Sequence, residues 1–366
     1  MSDLGDGDNI QTTRRIALYC AGIAVVVAIV PTAFALAHGS WYPSALVDMS
    51  ETEPLAALAR ASDGDFRFVH PEAHYDGVYF FAIAIDPLAT EQAHELVDKA
   101  AARYSHPAYG WMAALLTLGR DSAVPAILLL LALAGAAASG YLTSVLVAEL
   151  GGSPWWGLAT AFNPGVIYSV TSLTSEPVGT ALLALGLLMW MRGRFVIAAA
   201  TFVVLCFTKD PYVLVPVALA AWELLIWWRR RDRDVVMRVA LLAPGPLLLI
   251  AWYAYLTNAL GQSPFAAGEG LLAFPLRGWI ETLRIAAADA TGPFLSMQIG
   301  AASLAIVAAV GALILAALLS ATRLRNPVDP AFISQAVIVL MLGPLALLYS
   351  KDLIRSLVPV TFLLPM

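Results

Sequence analysis

Long apolar runs alternate with short polar or charged stretches along most of the chain, and this spacing predicts helices rather than strands. The first run, Ile16 to Ala37, holds about 22 residues, enough to cross a bilayer at about 1.5 Å per residue. Further runs follow at 123–149, 155–173, 177–191, 195–208, 211–228, 235–257, 295–321 and 331–349. A last stretch at 357–366, of about 10 residues, is too short to span: either it is a half-helix or the chain is shorter than its relatives. Between the first two runs, residues 38–121 carry many carboxylates and no spanning segment, so they form one large hydrophilic loop with short helices at the membrane interface. One such helix is expected from Glu91 to Arg103. Another, Pro107 to Gly119, is apolar but only about 13 residues long and reads as juxtamembrane or re-entrant.

The short basic loops set an orientation. Arg14-Arg15 ahead of the first run places the N-terminus in the cytoplasm. Ala35-Leu36-Ala37 has the look of a signal-peptidase site, yet the apolar run exceeds the roughly 7–15 residues of a signal core, so an uncleaved anchor is expected. If 107–119 does not cross, Arg192/Arg194, the cluster Arg229-Arg230-Arg231/Arg233 with Arg238, and Arg323/Arg325 all fall on the cytoplasmic side. Residues 38–121, Thr171–Glu176, Thr208–Asp210, Asn258–Phe294 and Ser350–Arg355 then share the opposite face.

Composition agrees with a lipid environment. Of 366 residues 60% are hydrophobic and 13% charged, against about 45–50% and 25% in soluble domains. The net charge of −5 and the lack of a basic face argue against nucleic acid as a partner. Cys20 and Cys206 sit in separate apolar runs and suggest neither a disulfide framework nor a metal site.

Chemistry-bearing residues gather in the first loop and at the ends of apolar runs. Asp76 stands between Tyr75 and Gly77 and precedes Tyr79-Phe80-Phe81, where an aromatic interfacial helix would begin. A carboxylate there can act as a general base or merely cap the helix. Asp63-Gly64-Asp65 reads as a turn and Asp86-Pro87 as a helix stop. Ser175-Glu176-Pro177, Thr208-Lys209-Asp210 and Lys351 to Arg355 place cations and carboxylates together at the membrane edge. Charges there are costly unless paired or hydrated, so they suggest a polar cavity, although each could simply snorkel at a helix end. His70, His74, His94 and His106 lack metal-ligand spacing, so no metal site is expected.

Tyr75-Asp76-Gly77-Val78-Tyr79-Phe80 with Ile85-Asp86-Pro87, then Arg103-Tyr104 and His106-Pro107 before a short helix, resembles the first exported loop of bacterial membrane glycosyltransferases of the GT-C type, the mannosyltransferase-like group being nearest. Ser175-Glu176-Pro177 and Thr208-Lys209-Asp210 resemble that group's Glu-Pro pair and Thr-(Arg/Lys)-(Asp/Glu) motif, with a weaker echo at Arg355 to Pro359. Val78 departs from the more usual polar residue. The resemblance spans roughly residues 70 to 215 and rests on the order of short motifs.

It implies an all-α, GT-C-like transmembrane bundle of about ten helices, with a cytoplasmic tail at 1–15 and a single domain over 16–366. It also implies inverting transfer of a sugar from a polyprenyl-phosphate carrier to an extracytoplasmic glycan or lipid acceptor. Asp76 would be the base. Lys209, Arg355 and Arg103 would neutralise the departing phosphate, Glu176 and Asp210 would orient cations or sugar hydroxyls, and His74, Tyr75, Tyr79, His106 and Lys351 would complete the substrate-binding surface. No cofactor is expected, a divalent cation being compatible with the site. The alternative is a transporter, flippase or assembly partner that binds a lipid-linked sugar without chemistry. It would be expected to show matched broken helices in related halves, and no such halves are seen.

Overall fold

The computed structural model describes residues 4–69, 74–230, 234–267, 272–291, 294–321, 324–348, 350–363 and 366, and it is all-helical, 77% helix with no strand among them. His70, Arg231, Arg233 and Arg323 lie outside the described residues. The chain opens with α1 (Leu4–His38), and the first loop carries α2 (Ala56–Ser62), α3 (Gly77–Ile85), α4 (Ala100–Arg103) and α5 (Ala108–Thr117). The bundle continues through α6 (Val124–Glu149), α7 (Gly157–Ala161), α8 (Pro164–Thr171), α9 (Glu176–Met191), α10 (Phe195–Cys206), α11 (Leu214–Arg230), α12 (Val235–Leu242) and α13 (Pro244–Leu260). It ends with α14 (Pro264–Ala267), α15 (Arg277–Ala290), α16 (Phe294–Ala321), α17 (Val328–Leu340), α18 (Pro344–Leu348), α19 (Ser350–Ser356) and α20 (Val358–Leu363).

Among the described residues four helical stretches are long and apolar enough to cross a membrane: Ile10–His38, Asp121–Glu149, Asp210–Arg229 and Val235–Leu260. Glu176–Met191, Phe195–Cys206, Ser303–Leu319 and Val328–Leu340 are apolar but shorter. The protein is therefore a helical bundle with membrane-spanning character, and its helices are more interrupted than the sequence pattern suggests.

Proline explains most of the interruptions, because it lacks an N–H and disfavours the helical conformation in the residue before it. The run at 155–173 breaks at Asn163, which is extended (φ −67°, ψ 116°) and accepts from the Gly165 and Val166 amides to start α8. The run at 331–349 breaks before Pro344, and α12 gives way to α13 at Pro244. The helix expected from Glu91 to Arg103 is also divided. A 3-10 turn at Ala93–Leu96 and the short α4 replace it, with Lys99 left-handed (φ 49°) between them. Asp86 accounts for that division: its carboxylate accepts from the amides of Thr90, Glu91 and His94 and from the His94 ring, pulling the chain into a tight turn.

The 107–119 segment forms α5, whose 10 residues reach only about 15 Å. It packs against α3, and Tyr109 donates its hydroxyl proton to the Leu128 carbonyl of α6 at 2.5 Å. α1 packs along α6 and α6 along α9, so the first loop rests on the core of the bundle.

Two glycines permit the close approaches of α3 and α8 to their neighbours. A Cβ on Gly77 would lie 2.7 Å from the Val47 carbonyl oxygen and 2.8 Å from that of Ser172, and one on Gly165 would collide with the Ile354 carbonyl oxygen where α8 meets α19. Backbone cannot yield as a flexible side chain can. Gly165→Ala is therefore expected to destabilise the protein by about 1–3 kcal/mol, whereas Gly64→Ala, with open space around its Cβ, leaves the melting temperature in detergent unchanged.

Candidate active site

Five segments meet at the N-terminal end of α3. Asp76 occupies the cap position of that helix, yet its side chain makes no capping hydrogen bond. It turns instead to two arginines: Arg355 Nη1 donates to Asp76 Oδ2 at 2.6 Å, and Arg103 Nη1 lies 3.5 Å from Oδ1. The capping role that local spacing allowed is thus not the one the side chain plays.

Arg355 is the junction. Its side chain is only 7% exposed, and it donates through Nη1 to Asp76 and to the Tyr75 hydroxyl (2.8 Å) and through Nε to Glu176 Oε1 (3.0 Å), with Nη2 2.8 Å from the same oxygen. Glu176, buried at the first turn of α9, also takes the Lys209 ammonium at 2.9 Å and the Ser169 hydroxyl at 3.1 Å. Burying one unpaired ion of this kind costs several kcal/mol, so neither Glu176 nor Arg355 is tenable alone.

Tyr75 joins this cluster to the chain's last helices. Its hydroxyl donates to Asp352 Oδ1 at 2.8 Å, its ring carries the Lys351 ammonium 4.2 Å from the centroid, and Tyr168 meets it edge-on. Tyr75 is buried and committed to protein partners, whereas Lys351 is exposed. A second branch runs outward from Arg103, whose guanidinium lies 3.7 Å from the Tyr79 ring centroid and donates to the Tyr79 hydroxyl at 2.9 Å. His74 bridges that hydroxyl, 2.8 Å from Nε2, and Glu53, which contacts Nδ1.

Asp210 and His106 do not join the Asp76 cluster. They form a neighbouring one, in which Asp210 accepts from Ser105 at 2.9 Å and from Tyr253 at 2.8 Å, with His106 Nδ1 3.7 Å away. Of the sequence-predicted residues, Tyr75, Asp76, Tyr79, Arg103, Glu176, Lys209, Lys351, Arg355 and His74 form one connected network. Glu53, Asp98 (3.5 Å from Arg103 Nη2), Tyr168, Ser169, Asp352 and Tyr253 join these networks and were not singled out individually. Tyr168, Ser169 and Tyr253 were the most findable, being hydroxyls inside predicted membrane runs. Glu53 is one carboxylate among many in the loop and gives no local signal. Asp86 and His94 belong to the turn at the other end of α3. Among the described residues no group of three His, Cys, Asp or Glu side chains is arranged to hold a metal ion.

The electrostatics of Asp76 follow from two opposed effects. Burial pushes its carboxyl up, but the guanidinium groups of Arg355 and Arg103, with the direct hydrogen bond from Arg355, outweigh burial and hold it below the usual carboxylate range. Comparison of the chain with protein-family models, curated proteins and solved structures finds no match. The class of protein defined here is accordingly an all-helical bundle with membrane-spanning helices and a charged, multi-segment site at one end.

A carboxyl depressed in the folded state stabilises the fold above its unfolded pKa and loses that contribution as pH falls toward the folded one. The melting temperature of the wild type relative to Asp76→Asn should therefore be greatest above about pH 4 and decline as the solution is acidified below it. A difference independent of pH between 6 and 3 would show that the Asp76 charge is not held by its arginines.

Proposed function

We propose that the protein is an integral-membrane glycosyltransferase of GT-C type that takes a sugar from a polyprenyl-phosphate carrier and passes it to an extracytoplasmic glycan or lipid acceptor. The observation that carries this reading is the meeting of Asp76 with Arg355, Arg103, Glu176 and Lys209, drawn from segments as much as 279 residues apart. A donor embedded in the membrane needs its phosphate met by cations at the bilayer edge, and a hydroxyl acceptor needs a base within reach of the same point. The order of the Tyr-Asp-Gly, Glu-Pro and Thr-Lys-Asp motifs supports the same class, beside four spanning stretches and four shorter apolar helices among the described residues.

In this reaction the bond from the sugar's anomeric carbon to phosphate oxygen breaks as a bond to the acceptor oxygen forms. The acceptor's proton passes to Asp76, and polyprenyl phosphate departs carrying the bonding pair. Lys209, Lys351 and the two arginines offset the charge gathering on that phosphate. Glu176, at the buried end of the network, holds Lys209 and Arg355 in place.

The site faces away from the cytoplasm in this reading, with Arg229 and its neighbours on the cytoplasmic side. Cys20 and Cys206 are buried, so introduced cysteines report cleanly: Gly64→Cys should react with an impermeant maleimide from outside the cell, and Asp232→Cys only after permeabilisation. Both reacting from one side would overturn the orientation.

Catalysis is tested at Asp76. Asp76→Asn preserves shape but removes the proton acceptor, and loss of general-base help costs about 10²–10⁴ in rate. Turnover of radiolabelled polyprenyl-phosphate sugars by the purified variant should drop at least about a hundredfold with donor binding retained. A binder or flippase without chemistry would show no transfer in the wild type, and full transfer by the variant would remove Asp76 as the base.

A further inference from the structure

Arg355 has almost no donor left to give. Of its nitrogens, Nε and Nη2 are taken by Glu176 and Nη1 by Asp76 and Tyr75, inside a pocket that leaves the side chain 7% exposed. Lys209 is likewise paired with Glu176. An incoming phosphate meets a site whose innermost cations, Arg355 and Lys209, are already matched, while the exposed Lys351 lies on the Tyr75 ring.

The two carboxylates that hold Arg355 are not equivalent. Glu176 is fully buried and bound by Arg355, Lys209 and Ser169, so releasing it would strand an ion in the interior. Asp76 is 31% exposed, and its second oxygen touches Arg103 at only 3.5 Å. The Asp76 end of the pair is the one that can open.

We propose that Asp76 and a phosphate group compete for the same guanidinium edge of Arg355, so that the site is an anion-binding site closed by its own carboxylate. This rests on the transferase reading for its meaning but not for its test. Within that reading the exchange has a direction. Before transfer Arg355 holds Asp76. As the acceptor's proton reaches Asp76, the carboxylate becomes a neutral acid and loosens its hold, while the departing phosphate gains the negative charge that Arg355 then takes up. The acceptor's proton neutralises Asp76 as the phosphate takes the bonding pair, so the total charge within the site is unchanged during the transfer step. Arg355 is on this account the residue that couples acceptor deprotonation to departure of the phosphate.

The consequence runs against ordinary expectation: removing a residue at the heart of the site should improve binding of an anion. Calorimetric titration of the purified full-length protein with polyprenyl phosphate, and separately with inorganic phosphate, should show Asp76→Asn and Asp76→Ala binding at least about tenfold more tightly than wild type, the change that one charge-assisted hydrogen bond of ordinary strength commands. Asp65→Asn removes the same charge from an exposed turn and should change affinity by less than about twofold, as screening predicts. Adding Arg355→Gln to Asp76→Asn should abolish the gain, in a protein whose melting shows that it is folded.

A gain with both anions identifies the phosphoryl group itself as the ligand. A gain with the lipid alone identifies a headgroup seated by its tail. Unchanged or weaker affinity in both Asp76 variants overturns the proposal, as does a gain that persists without Arg355. Absence of sugar transfer in the wild type alongside the tenfold gain would overturn the transferase reading and leave the anion site standing.

Discussion

A guanidinium buried between two carboxylates governs this molecule. Arg355 can stay in its pocket only because Glu176 and Asp76 hold it, and Glu176 can stay at the buried turn of α9 only because Arg355 and Lys209 hold it. Removing one partner of such a pair typically costs about 3–5 kcal/mol, since the other is left charged and dry. The arrangement dictates much of the surrounding backbone. Gly77 and Gly165 are required where α3 and α8 approach their neighbours, and the Asn163-Pro164 break turns α8 so that α19 can lie against it.

Much of the architecture was readable from the chain because lipid imposes a simple rule: apolar stretches of sufficient length become helices. The long runs at 16–37, 123–149, 211–228 and 235–257 all fall within the four spanning stretches. Reading failed where local chemistry overrode period. The Glu91–Arg103 helix had helix-forming residues, but Asp86 draws three amides and a ring nitrogen to itself, and four such bonds outweigh a marginal short helix. The run at 155–173 looked continuous by hydropathy although Pro164 stood within it.

For the site, the sequence showed which residues would be charged at membrane edges but not which charges would touch. Charge at a boundary is visible in one dimension; pairing needs three. Asp76, Glu176, Lys209 and Arg355 were each legible and their convergence was the expectation that mattered. The separation of Asp210 and His106 into a neighbouring cluster was not legible, because Lys209 and Asp210 are adjacent in the chain yet serve different partners. Tyr75 was legible as an aromatic beside Asp76, but its bonds to Asp352 and Arg355, about 280 residues away, were not.

The span between Asp76 and Arg355 also bears on how the protein is made. With 279 residues between them and synthesis at about 5–20 residues per second, Asp76 leaves the ribosome on the order of tens of seconds before its partner exists. During that interval neither Glu176 nor Asp76 has the Arg355 guanidinium to meet it. Docking of α19 is therefore what brings Arg355 to Glu176 and Asp76, so the charged centre is assembled only after that helix has been made. Until α19 docks, Glu176 has Lys209 as its cation and Asp76 has Arg103.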